Sequence, residues 1–138
     1  MKILITGDSK GLGNALCRRL SKSHDCVGLS RSRDISEGWK HIAHDLSLKI
    51  MTKEIEDELI NCDTIIHNAA IASSKLSFVQ TLESVENQFN VNFLSPFLIT
   101  KTWIKHRLRQ KKKGHVIFIS SICSKRAYNG LSIYSATK

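Results

Sequence analysis

At 138 residues the chain has the length of a single domain and enough surface to bury a core. A hydrophobic share of 41% with 24% charged residues suits an ordinary globular protein, and no apolar run approaches the roughly 20 residues needed to span a bilayer. The net charge of +9 raises the question of a polyanion partner, but much of it sits in Lys105, Arg107, Arg109, Lys111, Lys112 and Lys113. That run reads as a solvated helix end stopped by Gly114, and no interleaved aromatic residues offer base-stacking platforms, which argues against nucleic acid.

Strand and helix signals alternate along the chain. Lys2–Thr6 is a short β-branched run that predicts a first strand, and Leu12, Leu16 and Leu20, with Ala15 beside them, recur at helical spacing. Cys26–Ser30 reads as a second strand and Lys40–His44 as a less apolar third, with Asp34–Lys40 as loop. Ile50 to Ile60 reads as a helix with Ile55 and Leu59 on one face, and Thr64–His67 as a fourth strand. After an irregular piece over Ala72–Thr81, one long helix is expected from about Leu82 to Lys112. A fifth strand follows at His115–Ser120, and a final helix begins near Leu131. The alternation predicts one α/β domain over residues 1–138, a doubly wound parallel sheet (Rossmann fold) with its ligand at the C-terminal strand ends.

Between the first strand and the first helix lies Thr6-Gly7-Asp8-Ser9-Lys10-Gly11-Leu12-Gly13. Glycines at a helix start let unpaired backbone N–H groups approach a pyrophosphate, and they supply turns that side chains would block. The spacing G-x-x-x-G-x-G departs from G-x-G-x-x-G. At the tip of the second strand stands Leu29-Ser30-Arg31-Ser32-Arg33, with no carboxylate to take a ribose 2′-hydroxyl. Arg31 there, with Lys10 on the same rim, suits a 2′-phosphate, so NADP(H) is the expected cofactor and NAD(H) the alternative.

With these parts in place the chain resembles the short-chain dehydrogenase/reductase family, in its compact single-domain branch, from Lys2 to Lys138. Thr6-Gly7-x-x-x-Gly11-x-Gly13 is similar to its cofactor loop, Asp45-Leu46 to its adenine-contacting acidic position, and Asn68-Ala69 to its Asn-Ala pair. His67 and Ala70 replace the Asn and Gly usual beside that pair. Asn92 matches the asparagine of the long helix, and Ser121 precedes Tyr134 by 13 residues, the family's usual separation. Tyr134-x-x-x-Lys138 completes a tetrad.

The resemblance implies cofactor contacts from Gly7, Ser9, Lys10, Gly11, Leu12, Gly13, Arg31, Asp45, Leu46, Asn68, Ala69, Tyr134 and Lys138. It implies catalysis by Asn92, Ser121, Tyr134 and Lys138 on a small carbonyl or alcohol. Tyr134 would exchange a proton with the substrate oxygen and Ser121 would bond that oxygen. Lys138 would hold the nicotinamide ribose, and Asn92 would anchor a proton-relaying water. Four residues apart on a helix, Tyr134 and Lys138 share a face, and an ammonium beside a phenol favours the phenolate. From the residues alone, Ser121 serves equally as a turn cap, Asn92 as the partner of a helix break before Pro96, and Tyr134 as packing.

Members of this branch are longer, so the sheet is expected to be incomplete at the C-terminus and the 138-residue chain to be a fragment with little turnover of its own. Homo-oligomers are expected of a complete chain. Cys17, Cys26, Cys62 and Cys123 are scattered without a C-x-x-C pair, which points to reduced, mostly buried thiols and to no metal site. Because the N-terminus enters a strand directly, with no signal-peptide pattern, a cytoplasmic location is expected, with no membrane partner.

Overall fold

The computed structural model describes residues 1–32 and 38–138; Arg33 and residues 34–37 of the expected loop lie outside the described residues. Five strands, β1 (Lys2–Thr6), β2 (Asp25–Ser30), β3 (Lys40–Ala43), β4 (Thr64–His67) and β5 (His115–Phe118), form one sheet in the order β3-β2-β1-β4-β5. Every pairing is parallel, with Ile5 opposite Gly28 on one side and Ile66 on the other. Strands β1, β2 and β4 are buried almost end to end, because a parallel sheet covered on both faces has no solvent side.

Alternation along β1 feeds two cores. Leu4 joins Val27, Leu29, Ile55, Leu59, Ile65, Ile99 and Trp103, closed over by α2 (Lys53–Asn61) and α4 (Ser95–Arg109). Ile3 and Ile5 join Cys17, Cys26, Trp39 and Ile66 against α1 (Gly11–Leu20). The chain steps outward from β1 to β2 and β3, then crosses to β4 and β5 on the other side. This reversal opens a crevice at the C-terminal ends of β1 and β4, where doubly wound sheets take ligands.

The expected single helix from Leu82 to Lys112 is two. α3 (Leu82–Phe89) passes into α4 through a widened turn, Asn90–Leu94, whose end is marked by the Ser95 N–H bonding the Asn90 carbonyl five residues back. Pro96 accounts for the break: it has no N–H to give, and its ring would press on the carbonyl four residues earlier.

The basic run departs from expectation as well. α4 stops at Arg109, and the residue with positive φ is Lys111 (54°), not Gly114. Gly114 is required for another reason, since a Cβ there would overlap the Trp103 ring. Arg107 turns inward rather than into solvent. Its guanidinium lies over the Trp103 ring, 3.2 Å from Asp63 Oδ1, and donates to the Lys113 carbonyl. A buried cation is tolerated when it is paired and hydrogen-bonded in this way.

Other boundaries move by a few residues. β2 begins at Asp25, β3 ends at Ala43 and β5 at Phe118, and single 3₁₀ turns occupy Leu46–Leu48, Ser77–Val79 and Ile122–Ser124. α2 starts at Lys53 because the Thr52 hydroxyl accepts from the Ile55 N–H and sets the cap there. A short α5 (Ser132–Ala136) begins next to Leu131, as expected. None of the four cysteines is in a disulfide, and Cys17, Cys26 and Cys62 are buried. Among the described residues no helix is long and apolar enough to cross a membrane.

Candidate functional site

A cleft of about 730 Å³ runs across the C-terminal strand ends, lined by the loops that follow β1, β2, β3 and β4. Of the residues expected to hold a cofactor, Gly7, Ser9, Lys10, Arg31, Asp45, Leu46, Asn68 and Ala69 face it together. His44, Ser47, Ile71 and Val91 complete much of the wall. Gly11, Leu12 and Gly13 lie outside the lining and form the first turn of α1.

That first turn is left without a side-chain cap. Lys10, at its cap position, makes no side-chain cap, and the turn carries no carboxylate, so its N–H groups and the positive end of the helix dipole stay open. By contrast Thr52 and Thr81 cap α2 and α3, with Glu54, Glu56 and Glu83 in those first turns. Gly11 adopts φ +58°, a conformation side chains disfavour, and a Cβ there would meet only open space. Gly13 is buried, and a Cβ there would overlap the Gly7 carbonyl, so the turn closes only on glycine.

The loop is pinned from both sides. From β4, the Asn68 and Ala69 N–H groups donate to Thr6 Oγ1 at 3.1 and 3.0 Å, and Asn68 Nδ2 donates to the Thr6 and Gly7 carbonyls. Asn68 therefore acts first as a brace for the loop. From β2 and β3, the fully buried Asp8 carboxylate takes the Ser30 hydroxyl at 2.7 Å, Trp39 Nε1 at 3.0 Å and His41 Nδ1 at 3.0 Å. Nothing in the sequence reading singled out Asp8, Ser30, Trp39 or His41. The available signals were a carboxylate inside a glycine loop and Gly28 between the apolar Val27 and Leu29 of a strand.

Asp45 heads the turn after β3, its Oδ1 accepting from the Ser47 N–H at 2.9 Å. That backbone bond, aided by the Ser47 hydroxyl and by the charges of Arg31 and His44, holds its carboxyl below the usual range. Arg31 and Asp45 thus stand near one another on the wall of the cleft.

The four residues expected to act in catalysis form a second, partly connected group outside the lining of the cleft. Asn92, in the widened turn, takes the Ile71 N–H on Oδ1 and donates from Nδ2 to the Ile71 carbonyl and to Thr137 Oγ1, at 2.8, 2.8 and 2.9 Å. Thr137, also missed from sequence, in turn donates to the Tyr134 carbonyl at 2.7 Å. Lys138 Nζ donates to the Ile119 carbonyl, and burial pushes its ammonium down from the ordinary lysine value. Ser121 Oγ accepts from the Cys123 N–H at 3.2 Å, capping its own turn. Tyr134 is half-buried on α5, and no hydrogen bond joins its phenol to Ser121 or Lys138 among the described residues.

A family model described as short chain dehydrogenase matches residues 1–138. The chain is 26% identical over 147 residues to a benzil reductase ((S)-benzoin forming) of Bacillus subtilis (strain 168), covering 98% of this chain and 60% of that protein. It is 27% identical over 149 residues to carbonyl reductase [NADPH] 2 of Sus scrofa, covering 100% and 60%. In fold it is similar to a 4-hydroxyisoleucine dehydrogenase complexed with NADH, at TM-score 0.89 and 22% identity, over 99% of this chain and 61% of that one. The chain spans about 60% of the length of the curated relatives it matches. With a family model matched from end to end over a five-stranded doubly wound sheet, the chain belongs to the short-chain dehydrogenase family.

Proposed function

We propose that the chain is the cofactor-binding portion of an NADP(H)-dependent oxidoreductase that interconverts a carbonyl and an alcohol in the cytoplasm. The observation that carries this is the cleft itself: Gly7 and Lys10, Arg31, Asp45 and Asn68 gathered from four separate strand ends beside an uncapped helix start. The α1 N–H groups hold the pyrophosphate, and Arg31 with Lys10 meets the 2′-phosphate that distinguishes NADP(H) from NAD(H). When bound, the nicotinamide supplies or accepts the hydride. Tyr134 exchanges the proton at the substrate oxygen, Ser121 hydrogen-bonds the same atom, and Lys138 supports the phenolate and the ribose. Asn92 holds the Ile71 loop and the end of α5 in place and anchors the relaying water.

The 138-residue chain by itself turns over little in this proposal. Two features support that. Ile117 and Phe118 of β5 are 44% and 60% exposed, although a parallel strand is normally covered on both faces. Lys138 and Ser121 are meanwhile engaged with backbone groups rather than with Tyr134. The second feature equally favours a non-catalytic NADP(H)-binding or protein-interaction module. Exposed Phe93, Phe97, Ile104 and Leu108 along the 90–108 segment support self-association of a longer chain, which sedimentation would register.

Titration with NADPH and NADH tests the cofactor reading. Arg31→Asp is expected to weaken NADPH at least about tenfold more than NADH, since a charge-assisted contact becomes a repulsion; equal losses overturn it. In a chain extended past Lys138, Tyr134→Phe is expected to abolish turnover and leave NADPH binding nearly intact. Absence of turnover in that extended chain before any substitution favours the non-catalytic module.

A further inference from the structure

Asp8 sits between two residues that line the cleft, Gly7 and Ser9, yet its own side chain is fully buried behind the wall. Room for it exists because residue 28 is glycine, where any Cβ would overlap the Asp8 carboxylate. Its partners come from the tip of β2 (Ser30), from the residue before β3 (Trp39) and from β3 (His41), 22, 31 and 33 residues along the chain. A carboxylate only accepts, so the Ser30 hydroxyl, the indole N–H and His41 Nδ1–H all donate to it. Ser30 Oγ also lies 3.2 Å from the Ser32 carbonyl, so this one hydroxyl touches the backbone on the far side of Arg31. The single hydroxyl proton goes to the Asp8 carboxylate, so the link from phosphate loop to Arg31 is the Asp8–Ser30 hydrogen bond followed by the Ser30–Arg31 peptide bond, with the Ser32 carbonyl a neighbour only.

We propose that Asp8 is a positioning residue for cofactor selection: through Ser30 it fixes the distance and orientation between the phosphate loop and the Arg31-bearing tip of β2, and so sets the preference between the two dinucleotides. This rests on Arg31 facing the 2′-phosphate. Losing the link leaves the α1 N–H groups, and hence pyrophosphate binding, in place, while Arg31 no longer stands at a set distance from the anion.

The test uses NADPH and NADH binding to the full 138-residue chain, followed by fluorescence, with thermal melting beside it. Ser30→Ala is expected to weaken NADPH about tenfold and NADH less than about threefold, as loss of one ordered charge-assisted contact requires. Ser30→Thr, which keeps the hydroxyl, is expected to restore the parental ratio. Asp8→Asn keeps the shape but turns an amide N–H₂ toward donors, and is expected to shift the ratio the same way. Arg31→Ala, run in parallel, separates the premises. If it erases the preference while Ser30→Ala and Asp8→Asn lower only the melting temperature, the positioning role is overturned and the Arg31 reading stands. If Arg31→Ala leaves the preference unchanged, or the unaltered chain binds neither nucleotide, both are overturned.

Discussion

Asn92 makes three hydrogen bonds with one amide, closing a two-way bond to the Ile71 backbone and a third to Thr137. Only asparagine and the longer glutamine set two amide donors beside a carbonyl acceptor, which this pattern uses in full. Removing the amide strands the Ile71 N–H and carbonyl in a half-buried setting, where unsatisfied groups cost roughly 1–3 kcal/mol each before water relieves them. Asn92→Ala is therefore expected to lower stability by about 2 kcal/mol in urea unfolding. A change within about 0.5 kcal/mol would show that the three bonds are exchanged for water without loss. Arg107 makes the same point at the opposite end of α4: its charge was legible as part of a basic run, but its burial depends on Asp63, which the fold brings to it from just before β4.

Among the elements, α5 is the one least able to stand alone. Five residues fall far below the length at which a helix is stable in water, so α5 exists because its ends are held. Thr137 ties its C-terminal end to Asn92, and the Ser132 hydroxyl meets Ser77 across 2.6 Å at its start. Thr137→Val keeps the shape and removes the hydroxyl. Hydrogen exchange at the α5 amides is expected to accelerate at least about tenfold, with α4 unchanged, since exchange there reports local opening. Equal protection before and after would assign the order of α5 to packing instead. The widened turn before Pro96 belongs to this scale too. It breaks what the apolar pattern predicts as one helix and aims Asn92 toward the Ile71 loop and the end of α5.

For the molecule as a whole, pH acts through His67. The ring is buried between β4, α4 and β5, with Nε2 2.8 Å from Thr100 Oγ1 and its face stacked on Phe118 at 4.9 Å. Burial pushes its pKa down to about 4. An unfolded histidine titrates near 6.5, so the unfolded chain binds this proton first. Stability is then full above about pH 6.5 and declines as pH falls toward 4, by about 3 kcal/mol in total. Asp45, Glu58 and Asp63, whose carboxyls are held below their usual range, add their own losses from about pH 5 downward, Glu58 first. Unfolding free energies measured from pH 7 to pH 4.5 are expected to slope downward, and His67→Asn to flatten that slope. An unchanged slope in the variant would exclude His67 as its source.

Sequence alone determined the order of strands and helices, the glycine loop, the cation at the β2 tip and the family, because each is written in local periodicity or short spacing. Residues 2–6, 64–67 and the rim of the cleft stand where their pattern put them. What only the tertiary structure decided are the contacts between distant segments: Asp8 under Ser30, Trp39 and His41, Thr137 on Asn92, Arg107 on Asp63. The physical reason is that a polar side chain takes its role from whichever donors and acceptors the sheet order brings within about 3 Å. A pairing across 22 to 45 residues leaves no periodic trace in the chain that makes it.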